Sequence, residues 1–176
     1  MIERVEQDGL ALLRLAHGKV NALDLELCRA LDRELSALES TPHRAVLLTG
    51  AGRAFCAGVD LVRMLQEGPT YIAEFLPALR SVLTRLTFFP KPIVGAANGH
   101  AIAGGCILLA ACDRRLMSGG KIGVPELRVG VPFPRIALEI VRATTIPSRL
   151  QEVLFLGGTY SATEAIALGW VDEVLP

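Results

Sequence analysis

Three short segments of this 176-residue sequence carry residue types and spacings suited to chemistry. The first is Ala54-Phe55-Cys56-Ala57-Gly58-Val59-Asp60, and the second is Asn98-Gly99-His100-Ala101-Ile102-Ala103-Gly104-Gly105-Cys106. In each, an apolar strand runs into glycine and a helix follows. Free N–H groups at helix starts favour a developing negative charge. Two such starts facing one cavity would form an oxyanion hole, where losing one donor typically costs about 3–4 kcal/mol of transition-state stabilisation. Taken singly, either segment is better explained by glycines that let backbones pack closely. The third segment is Val124-Pro125-Glu126-Leu127-Arg128-Val129-Gly130-Val131-Pro132, a lone carboxylate after a proline among apolar residues. Burial would raise the pKa of Glu126 towards the range useful to a general base. A pair with Arg128, or a role capping a turn, is the plainer reading of the same residues.

Other chemistries find less support. Neither glycine segment has the spaced glycines and lysine of a phosphate loop, and the second lacks the G-x-G-x-x-G of a dinucleotide site. No G-x-S-x-G elbow accompanies His17 or His100, so a serine hydrolase is not indicated, and His100 reads as a satisfied loop histidine. Asp60 and Asp113 read as caps or loop anchors. Cys28, Cys56, Cys106 and Cys112 show neither C-x-x-C pairing nor His–Cys metal spacing. They read as small buried apolar residues in a reduced compartment, with no metal site. Eighteen Lys and Arg balance eighteen Asp and Glu, which argues against a nucleic-acid partner. The N-terminus lacks a signal-peptide layout, and a cytoplasmic location is expected. The uncharged stretch from Pro92 to Cys112 is long enough to span a bilayer, but Asn98-Gly99 would break it, so a buried strand, turn and helix is expected there. A mean hydropathy of +0.43 is apolar for a monomer of this size and points to a subunit interface or a covering segment.

The elements that must position these segments follow from periodicity. Ile2–Gln7 and Leu10–Ala16 read as a hairpin around Asp8-Gly9. His17 to Asn21 is a loop. Leu27, Leu31, Leu35 and Leu38 mark an amphipathic helix capped by Asp24 and closed at Thr41-Pro42. Ala45–Thr49 is a buried strand. Gly50–Gly58 reads as a loop leading to a short helix near Asp60–Leu65, and Thr70–Phe89 as a helix with a kink or fresh start at Pro77. Pro92–Ala97 is a strand, Asn98–Gly105 a loop, and Cys106–Ala111 a helix. Short strands are expected at Arg114–Met117 and Lys121–Gly123, and helices at Ile136–Ala143 and Ser148–Leu156. Ser161 and Glu164 form a capping box for a last helix that Gly169 ends. Val171 to Pro176 is strand-like. The order predicts an α/β fold with helices packed on sheet.

In this order and at these separations, Asn21-Ala22-Leu23, Phe55-Cys56-Ala57-Gly58-Val59-Asp60-Leu61, Pro92-Ile93-Val94 through Asn98-Gly99, Gly104-Gly105-Cys106, Cys112-Asp113 and Pro125-Glu126 resemble the crotonase superfamily, the enoyl-CoA hydratase/isomerase family. The resemblance covers the whole chain. It implies a single core domain, residues 1–176, of stacked β-β-α turns, with the C-terminal trimerisation helices missing and the chain truncated. It also implies coenzyme A thioester substrates, no permanently bound cofactor, and a homotrimer or hexamer. By position, the enolate donors would be the N–H groups of Val59 and Gly104, with Glu126 as acid and base. Lys19, Val20, Ala22, Ala57 and Asp60 would neighbour the coenzyme A, its pantetheine arm passing the same loops.

Departures from the family pattern bear on the reaction. Hydratases of the family carry a second glutamate just after Gly-Gly-Cys, and Ile107 stands there. Hydration needs one group for the water and another for the proton, whereas one base suffices to move a proton along an allyl system. The Ala103-to-Ile107 stretch and Leu127-Arg128-Val129-Gly130-Val131 are similar to the mitochondrial-type Δ3,Δ2-enoyl-CoA isomerases. Phe133 and Pro134 occupy the region where dienoyl-CoA isomerases add an aspartate. The rival readings are another crotonase reaction (hydration, decarboxylation, dehalogenation or thioester hydrolysis) and a coenzyme A-binding protein that does not turn over.

Overall fold

The computed structural model describes residues 1–176. The chain opens with β1 (Ile2–Gln7) and β2 (Leu10–Leu15), joined by a two-residue turn in which Asp8 and Gly9 both take positive φ. That turn twists the way paired strands twist, so Gln7 faces Leu10 directly. Helix α1 (Leu25–Glu39) starts at Asp24, whose carboxylate accepts the Leu27 N–H at 2.8 Å. Four of its five leucines, Leu27, Leu31, Leu35 and Leu38, are fully buried.

From there the chain deposits one strand in each of two sheets and then a helix, the stacked unit that the resemblance implies. β3 (Ala45–Gly50), β4 (Ala54–Cys56) and α2 (Leu61–Thr87) form one such unit. β5 (Ile93–Ala97), β6 (His100–Ile102) and α3 (Gly104–Ala110) form the next. β7 (Arg114–Met117) and β8 (Lys121–Gly123) then lead through a 3-10 turn, Glu126–Val129, to α4 (Arg135–Thr144). The chain closes with α5 (Leu150–Leu156), β9 (Thr159–Ser161), α6 (Ala162–Ile166) and β10 (Glu173–Val174). The larger sheet has the order β1-β2-β3-β5-β7-β10 and the smaller β4-β6-β8-β9. All pairings are parallel except β1–β2 and β8–β9. The 41 buried apolar residues form one continuous cluster, so both sheets share a core.

The sequence-based element boundaries need four corrections, one of them the unforeseen β9 (Thr159–Ser161). The stretch 50–58, expected to be a loop, contains β4. The stretch 98–105, also expected to be a loop, contains β6 and the start of α3, which begins at Gly104 rather than Cys106. Three-residue strands are too short to show the alternation by which strands are recognised. The break in α2 lies at Gly68 (φ 72°, ψ −157°), not at Pro77. Glycine adopts that conformation without a Cβ penalty, and Pro69 then opens the second segment at a position that needs no donor. The helix runs through Pro77 with one backbone hydrogen bond fewer. Before the break, Arg63 ties residues 61–67 to the start of α1. It pairs with Glu26, lies 3.5 Å from Asp24, and sits 4.7 Å over the Tyr71 ring.

The capping box at Ser161 and Glu164 is present, and Gly169 turns the chain with φ 83°. The uncharged stretch 92–112 forms β5, β6 and α3. No helix is long and apolar enough to cross a membrane.

Candidate active site

The first donor loop is built around Asn21, which is 1% exposed and has φ 53°. Its side-chain Nδ2 donates to the carbonyls of Ala51, Ala54 and Phe55 at 2.9–3.2 Å, and its Oδ1 accepts the His17 N–H at 2.9 Å. A buried amide satisfied this fully holds β4 and its exit rigidly. Leu23 forms a parallel bridge to Val59: the Leu23 N–H donates to Gly58 O at 2.7 Å and the Asp60 N–H to Leu23 O at 3.0 Å. Because the residues flanking Val59 carry the bridge, the Val59 N–H points the other way and donates to no group of the protein.

The second loop ends at Ala103, whose φ of 52° and ψ of −124° are strained for a residue with a side chain. The Ala103 N–H is held by Gly123 O at 2.7 Å. Gly104 is thereby the first residue of α3, where a helix offers its N–H no internal acceptor. The two loops touch. A Cβ on Gly58 would lie 3.2 Å from the Gly104 nitrogen and 2.8 Å from Ala103 Cβ. A Cβ on Gly104 would meet Leu23 Cδ1 at 2.8 Å and Val59 Cγ2 at 3.7 Å. At Gly105 the packing explanation holds outright, because a Cβ there would fall 2.0 Å from Cys56 O.

Glu126 comes from the third side, on the 3-10 turn after β8, and is 7% exposed. Its Oε2 has no hydrogen-bond partner, so neither Arg128 nor a cap satisfies it. Burial pushes the carboxyl up to about 7, opposed only weakly by a backbone hydrogen bond. The three segments converge on a cavity of two chambers. The larger, about 190 Å³, is lined by Ala57, Val59, Leu61, Ala103, Glu126 and Val131, among others. The smaller, about 60 Å³, adds Gly104, Ile107 and the α2 residues Met64, Phe75 and Leu79. Val59, Glu126 and Val131 line both, and Glu126 is the one ionisable residue in either lining. A larger groove of about 990 Å³ between α2 and α4 shares no residue with the three segments and is crossed by the Arg85–Glu39 ion pair.

The remaining sequence candidates separate into groups. Lys19 and Val20 are exposed and Ala22 half-buried on the loop between β2 and α1. Val20 O accepts the Ala57 N–H at 3.0 Å, joining this loop to the chamber through Ala57. The Asp60 carboxylate is engaged as the cap of α2, accepting the Arg63 N–H at 3.0 Å. Asp113 anchors β5 by accepting the Ile93 N–H at 2.7 Å. His100 begins β6 instead of lying in a loop, and its Nδ1 accepts the Lys121 N–H at 3.2 Å. His17 sits 2.6 Å from Asp24. All four cysteines are free and buried. Burial, and the nearby Glu126, keep the Cys106 thiol protonated. Sequence reasoning missed Met64, Phe75, Leu79 and Val131 as cavity residues. Their apolar spacing signals burial, but it cannot distinguish a core face from a cavity wall.

A buried carboxylate opposite two outward N–H groups, with apolar walls, can take a proton from carbon while the resulting oxyanion is held. Comparison with known proteins bears on the family. The pattern of the enoyl-CoA hydratase/isomerase family matches residues 5–176. The chain is 32% identical over 182 residues to rat mitochondrial enoyl-CoA delta isomerase 1, covering all of this chain and 63% of that protein. It is 31% identical over 176 residues to human mitochondrial enoyl-CoA hydratase domain-containing protein 3, covering 96% of this chain and 57% of that one. The chain thus spans under two thirds of the length of these relatives. Its fold superposes on the crystal structure of an enoyl-CoA hydratase from Mycobacterium ulcerans with a TM-score of 0.92 and 30% identity, over 99% of this chain and 77% of that one.

Proposed function

The chain belongs to the enoyl-CoA hydratase/isomerase family, with the crotonase fold, and on that premise we propose that it is an acyl-CoA isomerase moving a β,γ double bond to the α,β position. The carbonyl oxygen of the thioester lies between the N–H groups of Val59 and Gly104. The Glu126 carboxylate takes a proton from the α carbon. The C–H electron pair moves into the Cα–carbonyl bond, and negative charge collects on the oxygen. The protonated Glu126 returns the proton at the γ carbon, the electrons shift along the dienolate, and the α,β double bond forms. One proton leaves and one returns, so no water or redox partner enters. Coenzyme A arrives and leaves with the substrate, its pantetheine arm running past Val20, Ala22 and Ala57 and its nucleotide near Lys19.

The observation that carries this reading is that Glu126 is the sole ionisable lining residue, with Ile107 lining the same chamber. A buried carboxyl near 7 is matched to proton transfer at neutral pH in both directions. Ile107, 3% exposed, offers nothing to activate a water. Assembly into trimers is part of the proposal. Leu65, Phe155, Leu156 and Val129 are 60–85% exposed, more apolar surface than a monomer ordinarily presents.

The test is to supply 3-enoyl-CoA and 2-enoyl-CoA separately and follow products by chromatography. The expected result is conversion of the 3-enoyl to the 2-enoyl thioester with little 3-hydroxyacyl-CoA. Rapid hydration of the 2-enoyl substrate would overturn the single-base mechanism.

A further inference from the structure

The small chamber adjoins the larger one, sharing Val59, Glu126 and Val131 with it. With the thioester held at Val59 and Gly104, the acyl tail beyond the γ carbon enters this chamber. Its inner wall is Phe75, Leu79 and Leu83, exposed 1%, 5% and 1%. The Phe75 ring is fixed from behind. It stacks on Tyr71 with centroids 5.9 Å apart and planes 11° apart. The Tyr71 hydroxyl accepts the Leu25 N–H at 3.0 Å, and Arg63 covers the Tyr71 ring. A ring braced this way cannot swing aside without breaking the stack.

The chamber volume is about 60 Å³. A chamber of that size takes only a few methylene groups. Glu126 must reach both the α and γ carbons, so these groups begin at the fifth carbon. We propose that Phe75 is the residue that sets acyl-chain length in this protein, so that medium-length chains such as decanoyl are accommodated and long ones such as tetradecanoyl are not. Rim residues mark the other way out: Leu76 is 42% exposed and Pro132 is exposed. A tail leaving there would escape the limit.

The proposal rests on the acyl-CoA reading of the site but not on its reaction, and the test is chosen accordingly. Calorimetric titration with saturated hexanoyl-, decanoyl- and tetradecanoyl-CoA measures the chamber without turnover. The wild type is expected to bind decanoyl-CoA at least tenfold more tightly than tetradecanoyl-CoA, since overfilling a fixed apolar pocket is discriminated by factors of about ten or more. Phe75→Leu, which removes the ring but keeps an apolar side chain, is expected to shift the tetradecanoyl-to-decanoyl affinity ratio at least tenfold towards the longer chain. Leu79→Val on the same wall is expected to shift it the same way, and serves if the first variant does not fold. Equal wild-type affinity for both chains would mean that the tail leaves past Leu76, and would overturn the proposal. So would an unchanged ratio in a folded variant. If the length series holds while no 3-enoyl-CoA is isomerised, the reaction assignment falls and the length limit stands. If no acyl-CoA binds, both fall.

Discussion

Asp24 and Glu126 are each 7% exposed, yet their surroundings differ in every other respect. Asp24 accepts the Leu27 N–H, lies 2.6 Å from His17 and sees Arg63 at 3.5 Å. It caps a helix and knits together the loop, α1 and the first turns of α2. Glu126 is given nothing at Oε2, and its neighbours in the cavity are apolar. Leaving a buried carboxylate unpartnered is costly, because the charged form loses its hydration without compensation. A protein keeps such a group where the cost sets a useful pKa. Burial alone therefore does not mark a site; burial without a partner, facing a cavity, does.

The comparison is sharpened most by mutation. Glu126→Gln keeps the shape and removes the base, and should lower kcat/KM for 3-enoyl-CoA by about 100- to 10,000-fold. Asp24→Ala should change it by less than about threefold, because it acts on the scaffold. If the two losses are comparable, the distinction between the carboxylates collapses. Next in size is a stability effect. The folded-state pKa of Glu126, about 7, lies above its ordinary value of 4.5, so the native state holds a proton that the unfolded chain has released between those values. Its contribution to stability is therefore greatest at low pH, declines as pH rises from 4.5 to 7, and levels off above. Chemical denaturation should show Glu126→Gln gaining about 3 kcal/mol relative to wild type between pH 4.5 and 7.5. A pH-independent difference would contradict the buried, unpaired state. The same titration predicts that kcat/KM falls about tenfold per pH unit below 7 and is flat above it, since only the carboxylate abstracts a proton. Smallest is the loss of the cap: Asp24→Ala should cost about 0.5–2 kcal/mol in denaturant melts at neutral pH.

The large sheet and α1 were legible because five- and six-residue apolar strands and leucines at helical spacing carry their own signature. Of the small sheet only β8 was, because β4, β6 and β9 have three residues each and are fixed by pairing in the order β4-β6-β8-β9. Yet β4 and β6 carry the two donor loops, so the part of the fold nearest the chemistry was the part hardest to read. Glu126 could be singled out, but that Arg128 does not pair with it was visible only in three dimensions. Between the helix breakers of α2, the glycine adjoining Pro69 won over the isolated Pro77, because only Gly68 can take positive φ freely.

The break at Gly68 also means that the cavity is walled in two different ways. Leu61, lining the larger chamber, and Met64, lining the smaller, belong to a segment whose Arg63 pairs with Glu26 and Glu67, side chains 28–46% exposed. Phe75, Leu79 and Leu83, at its floor, are secured by apolar packing. Dissolved ions weaken the first kind of contact, the screening length shrinking from about 10 Å at 0.1 M to about 3 Å at 1 M, and leave the second intact. Raising the ionic strength should therefore loosen residues 61–67 while Phe75, Leu79 and Leu83 stay in place.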